Sequence, residues 1–188
     1  METREQILAS AQRLVQTRGF NGFSYADIAE EVGIRKASLH HHFPTKSDLA
    51  VALVDRYATM VEGVLRKIAA SPDPADKKLA AYVGMYRNVL EAERVCLGGM
   101  LASEALTLDK TVLRGLKRFF ELNTGWLTEI LAEGKAKRIF TLNGTASNHA
   151  HLLLSSLQGA LILARATGER EVFDQTASTL MASLLRKG

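Results

Sequence analysis

Between Ser24 and Leu49 the chain reads SYADIAEEVGIRKASLHHHFPTKSDL, where helix starts and stops follow one another too closely for a sheet or for one long helix. Ser24 with Asp27, three residues on, is a cap-like pair that opens a short helix through Ile28, Ala29 and Val32. Gly33 ends that helix at a position suited to left-handed backbone, and a third helix follows at once, from Arg35 or Lys36 to about His41 or His42. Pro44 then forces a break, and Thr45 with Asp48 forms a second capping pair for a long fourth helix. The small Ala29 lets the third helix approach, while Ile28, Val32, Ile34 and Leu39 face inward and clamp the pair together. This is the spacing of a helix-turn-helix.

Helical periodicity governs the rest of the chain, and no stretch alternates with period two for long enough to claim a strand. An all-α protein of about nine helices is expected. Thr3 with Gln6 caps a first helix whose stripe is Ile7, Leu8, Ala11, Leu14 and Val15, stopped by Gly19. The fourth helix carries Leu49, Leu53, Tyr57, Met60, Val64 and Ile68 to Ser71-Pro72-Asp73-Pro74. Further helices are expected near 75 to 93, 96 to 107, 109 to 133, 146 to 167 and 169 to 186, with a long loop from Gly134 to Thr145. The border between an N-terminal domain, residues 1–55, and a C-terminal one, residues 56–188, falls inside the fourth helix.

At 188 residues the chain is long enough to bury a sizeable core. Its apolar share of 47% and mean hydropathy near zero fit neither a disordered nor a membrane-embedded protein. One cysteine, Cys96, cannot form an internal disulfide, and METREQILAS lacks the apolar core of a signal peptide, so the cytoplasm is the expected compartment. The net charge of +4 and pI near 9.3 suggest a polyanion as partner, yet residues 1–56 hold seven basic and seven acidic side chains and net zero. Total charge therefore does not locate a nucleic-acid site.

What the packing positions leave outward on the third helix is Arg35, Lys36, Ala37, Ser38, His40 and His41, a small, hydrogen-bonding surface able to enter a major groove. Lys46 lies in the first turn of the fourth helix, where helix-terminal N–H groups and an ammonium can hold a phosphate. On these residues the sequence resembles the tetracycline-repressor (TetR) family. That family's pattern of a hydroxyl cap, Ile-Ala, Gly and Leu-Tyr-x-x-Phe-x-x-Lys-x-x-Leu reads here Ser24, Ile28-Ala29, Gly33 and Leu39-His40-His41-His42-Phe43-Pro44-Thr45-Lys46-Ser47-Asp48-Leu49. The match covers most of residues 3 to 55. His40 stands where the family usually has a phosphate-contacting Tyr; its imidazole N–H can still donate to phosphate, with a contribution that varies with pH if it titrates near neutrality. Ala37 replaces a common Gly and presents a methyl to a thymine methyl or to backbone. The expected DNA-binding set is Ser24, Tyr25, Arg35, Lys36, Ala37, Ser38, His40, His41 and Lys46. The alternatives are a three-helix cap that binds nothing and a histidine metal tract. The tract ranks low, because consecutive helical positions point about 100° apart. For His42, burial beside Phe43 is expected.

The resemblance implies that residues after about 56 form a helical ligand-binding and dimerisation domain, and that the protein is a repressor released from a palindromic operator by a small molecule. A helix rich in Leu152, Leu153, Leu154, Leu157, Leu161 and Leu163 is apolar on nearly all faces and suits packing against a second copy. The expected dimer residues are Leu152, Ser156, Gly159, Ala160, Leu163, Phe173 and Leu180, the alternative being a monomer's core. A pocket for a small apolar or electrophilic effector is expected among Tyr82, Met85, Tyr86, Cys96, Met100, Phe119, Phe120 and Trp126, residue types that also make ordinary cores. At a helix start beside Arg94, Cys96 is placed to favour thiolate. Cys96-Leu97 with Ala102-Ser103-Glu104 is also similar to repressors of the N-ethylmaleimide-responsive type, which sense electrophiles through cysteine. The other reading of Cys96 is an inert buried thiol. An enzyme using Cys96 with His149 or His151 as base lacks visible oxyanion donors and a positioned base. No cofactor, metal or membrane partner is expected.

Overall fold

The computed structural model describes residues 3–185, and its regular structure there is helical apart from one isolated bridge between Phe140 and Leu185. In order come α1 (Thr3–Arg18), α2 (Tyr25–Val32), α3 (Lys36–His42), α4 (Lys46–Ala70), α5 (Ala75–Glu91) and α6 (Leu97–Ser103). A single 3-10 turn (Ala105–Thr107), α7 (Lys110–Ala136), α8 (Ala146–Thr167) and α9 (Glu171–Leu184) follow. The chain divides into two compact units: one runs to Met60 and takes in Arg94–Phe119, the other comprises Val61–Glu93 and the residues from Phe120 on. The change of unit after Met60, like the border expected after residue 55, lies inside α4.

In the first unit the stripe Ile7, Leu8, Ala11, Leu14 and Val15 is fully buried, and α1 packs on both α2 and α6. Ile28 and Leu39 join the same core, whereas Val32 and Ile34, expected inward, are half-buried. α1 already includes Thr3, so that residue stands inside the helix rather than ahead of it. Gly98 lies where an added Cβ would run into the Phe119 ring, which seats α6 closely on α7. In the second unit α5 packs on α8 and α9, and α8 on α9, around Leu79, Tyr82, Leu153, Leu157, Leu161 and Phe173.

Two helix ends differ from the sequence reading by three residues or more, while α5 ends two residues early and α9 (Glu171–Leu184) is two residues shorter at each end than expected. The helix expected over 96 to 107 ends at Ser103, where the Ser103 hydroxyl donates to the Met100 carbonyl; the Thr107 hydroxyl takes that of Glu104, tightening the chain into the 3-10 turn. α7 continues past Gly134 to Ala136. Gly134 is no helix stop: its missing side chain is the seat of the buried Phe140 ring, and its carbonyl accepts the N–H groups of Ile139 (2.8 Å) and Phe140 (3.1 Å). The expected end at residue 186 lies outside the described residues.

Gly134→Ala is therefore expected to force Phe140 out of its seat and to lower stability by about 1–3 kcal/mol in urea unfolding. Gly125→Ala, exposed on the same helix with open space around it, should instead gain about 0.5–1 kcal/mol.

Candidate nucleic-acid interface

The turn between α2 and α3 is built from backbone hydrogen bonds. Gly33 adopts φ 73°, ψ 34°, its N–H donates to Glu30, and the N–H of Ile34 reaches back to the Ala29 carbonyl at 3.0 Å. This left-handed closure swings the chain sharply into α3 at little steric cost, since glycine has no Cβ. At the other end of α2 the Ser24–Asp27 capping box is formed in both directions, and the hydrogen bonds from Ser24 hold the Asp27 carboxyl below its usual range. The Thr45–Asp48 box opens α4 in the same way, with N–H to side-chain distances of 3.0 and 3.1 Å. Exposed Ser24 thus uses its hydroxyl as a cap.

Leu39 anchors α3 in the core, and helical spacing puts Ala37 and His41 on the opposite side, pointing away from the protein. Arg35, Lys36, Ala37, His40 and His41 are all exposed, and Ser38 is half-buried. Two of the three acidic residues of α2 are paired with α1: Arg13 grips Glu31 with two N–H groups and keeps its carboxyl low, while Arg18 lies 3.5 Å from Asp27. The segment 1–56, neutral by count, thus presents exposed Arg35 and Lys36 at the start of α3.

Two residues of the expected set face inward. Tyr25 is buried, and its hydroxyl shares its proton between the carbonyls of Phe43 (2.9 Å) and Thr45 (2.6 Å), the break between α3 and α4. Burial, and next the Asp48 carboxylate, push this phenol up to about 12. Lys46 extends its ammonium to the carbonyls of Phe20 and Phe23, each at 2.5 Å, and over both of their rings. His40 lies against Tyr25, ring centroids 4.8 Å apart, and its Nδ1 is 3.3 Å from the Pro44 carbonyl. Because a carbonyl only accepts, Nδ1 carries the proton there, leaving Nε2 as the nitrogen available to a ligand. His42 is half-buried with its ring edge-on to His41.

The residues expected to line a pocket divide between the units. Cys96, Met100 and Phe119 belong to the first, where the Tyr57 hydroxyl reaches the buried Cys96 sulfur at 3.7 Å and the Tyr57 ring lies 5.5 Å from Phe119. Tyr82, Met85, Tyr86, Phe120 and Trp126 belong to the second. There Tyr82 stacks on Trp126 at 5.4 Å and donates to Asn123 Oδ1 at 3.0 Å, and Gln158 donates to the Tyr86 hydroxyl at 3.3 Å. Asn123 and Gln158 were not singled out from sequence, and Tyr57 only as part of the apolar stripe of the fourth helix; a lone polar residue on an apolar helix face is the signal that marks the first two. Of the expected dimer residues, Leu152 (54%) and Leu163 (56%) are exposed beside half-buried Ser156 and Gly159, and Leu180 is half-buried. Ala160 and Phe173 are buried within their own unit. His149 and His151 each hold a backbone carbonyl, of Asn143 and Ser147. Among the described residues no group of three or more His, Cys, Asp or Glu side chains is placed to hold a metal ion, and no helix is long and apolar enough to cross a membrane.

Residues 7–53 match the family described as bacterial regulatory proteins, tetR family. The crystal structure of a transcriptional regulator of the TetR family from Agrobacterium tumefaciens is similar with a TM-score of 0.94 and 34% identity, covering 98% of each chain. A TetR transcriptional regulator from Legionella pneumophila gives 0.90 and 31%, again over 98% of each. The HTH-type transcriptional repressor NemR of Escherichia coli is 23% identical over 87% of this chain and 84% of its own.

Tyr25→Phe should take this donor from the Phe43 carbonyl, leave the Thr45 carbonyl with the Leu49 N–H at 3.2 Å, and cost about 1–3 kcal/mol of stability. A tyrosine raised from 10.0 to about 12 by folding stabilises fully below pH 10 and loses that contribution as pH rises through 12. Denaturant unfolding of wild type should therefore weaken over that window more steeply than that of the variant.

Proposed function

This chain belongs to the TetR family of transcriptional regulators and is a DNA-binding regulator, and we propose that it acts as a dimeric repressor whose paired α3 helices read a palindromic operator and release it when a small molecule binds. The observation that carries this reading is the outward face of α3 and its N-cap, where Arg35, Lys36, Ala37, His40 and His41 are exposed on a helix held by the Gly33 turn and Leu39. A helix of seven residues presents enough length for three or four base edges, and two copies reach half-sites ~34 Å apart. Arg35 and Lys36 are suited to guanine edges or phosphates, Ala37 to a thymine methyl, and His40 and His41 to phosphates or base acceptors.

For the second copy, the exposed strip of α8 through Leu152, Ile162 and Leu163, with small Ser156 and Gly159 between, supports an interface between identical helices. Phe173 and Ala160, also expected at the interface, are buried within their own unit. For the effector, the cluster of Tyr82, Tyr86 and Trp126 with Asn123 and Gln158 offers aromatic surface and amide groups, which suits a small apolar molecule with one hydrogen-bonding group. Cys96 is buried under the Tyr57 hydroxyl, a setting that supports a packing role over a reactive one.

Selection from a random duplex library should return a palindrome with half-sites about one helical turn apart. Lys36→Ala should weaken that duplex and lower the slope of log affinity against log salt by about 1 if it meets a phosphate, or relax the preferred base at one position in each half-site if it meets a base. Binding that is indifferent to duplex sequence and to salt would overturn the reading.

A further inference from the structure

The break between α1 and α2 is held from both sides by charges distant in sequence. α1 ends at Arg18, Gly19 turns left-handed at φ 82°, and the next N–H groups have no helical acceptor. Those of Phe20 and Asn21 donate to the two oxygens of the Glu104 carboxylate, Oε1 and Oε2, each at 2.8 Å. The Asn21 amide adds a strap to the Thr107 hydroxyl at 2.9 Å. Gly19 makes this approach possible, since a Cβ there would collide with Glu104 Oε1. On the opposite side the Lys46 ammonium takes the carbonyls of Phe20 and Phe23.

The peptide group joining Phe20 to Asn21 therefore has its N–H on a carboxylate and its C=O on an ammonium. Such charge-assisted bonds are stronger than neutral ones, and each polarises the peptide in the sense that strengthens the other. Burial pulls the Lys46 ammonium below the ordinary lysine value, while the charge of Glu104 acts against that shift. Lys46 is the first residue of α4, and the carbonyl of its neighbour Thr45 holds the Tyr25 hydroxyl at the end of α3. One continuous set of hydrogen bonds thus runs from the end of α6 through residues 19–23 to the start of α4 and the base of α3.

We infer that Glu104 is a positioning residue for DNA binding: it orients residues 19–23 and, through the Phe20–Asn21 peptide, seats Lys46 and the first turn of α4 so that α3 is presented correctly. Lys46 then serves from within the unit, as an anchor for the loop and not as a ligand of phosphate. This rests on the reading that α3 binds DNA. It carries a sign that simple charge does not share. Removing a negative charge from a DNA-binding unit should tighten binding to a polyanion; loss of a positioning carboxylate should weaken it.

The test uses the full-length protein and the duplex that wild type selects from a random library, with affinities measured across a salt series. Glu104→Gln is expected to weaken binding about tenfold with the salt slope unchanged. In a Lys46→Met background, itself weakened with an unchanged slope, the same substitution should cost little more, because both act through one peptide. The backbone amide proton resonances of Phe20 and Asn21 should move upfield in Glu104→Gln, a direct sign that their acceptor has lost its charge. Thr107→Val, which leaves the charge intact and removes the Asn21 strap together with the hydroxyl's bond to the Glu104 carbonyl, should weaken binding about threefold. Unchanged or tighter binding by a folded Glu104→Gln, additive losses in the double variant, or a salt slope reduced by about 1 in Lys46→Met overturn the inference. Failure of wild type to select any duplex overturns the regulatory reading on which it rests.

Discussion

Short helices joined by abrupt turns leave peptide groups with no helical partner, and the first unit depends on side chains that supply those partners. Between α1 and α2 they are Glu104 and Lys46, between α2 and α3 the left-handed Gly33, and between α3 and α4 the Tyr25 hydroxyl with the Thr45–Asp48 box. A seven-residue helix such as α3 is too short to persist alone in water. Its angle and its existence are set by what holds its two ends, which is why groups inside the unit bear on a surface outside it.

Charge follows the same logic. The acidic residues that cancel the basic count in the N-terminal segment are not on the exposed face of α3. Glu31 is held by Arg13 and Asp27 lies beside Arg18, so α1 supplies the neutralising arginines for α2. Arg35 and Lys36 are left exposed at the start of α3. A polyanion approaching α3 meets local positive charge although residues 1–56 net zero, because pairing, not composition, determines what the surface presents.

Much of this was legible in the amino-acid sequence, and the parts that were not have a common cause. The Ser24–Asp27 and Thr45–Asp48 boxes, the Gly33 turn and the outward residues of α3 depend on neighbours within a few positions, so local spacing was enough to read them. The inward turn of Lys46 and Tyr25 depends on carbonyls about twenty residues away, and local spacing alone left both open as outward ligands. Glu104 finds its partners 84 and 83 residues away, and nothing in its local sequence marks that pairing. Gly134 misled for the same reason: as a helix terminator it was plausible by propensity, but contact with Phe140 explains it. In the second unit, α8 and α9 were read from periodicity, while which of their residues stay exposed was decided by packing against α5.

The claim that α3 reads the major groove is tested most directly by chemical interference on the selected duplex. Methylation of guanine N7 and exchange of thymine for uracil alter the major groove, whereas methylation of adenine N3 alters the minor groove. The account predicts loss of binding from the first two, clustered in two half-sites ~34 Å apart, and no loss from the third. Interference confined to adenine N3, or none at any base, would contradict it.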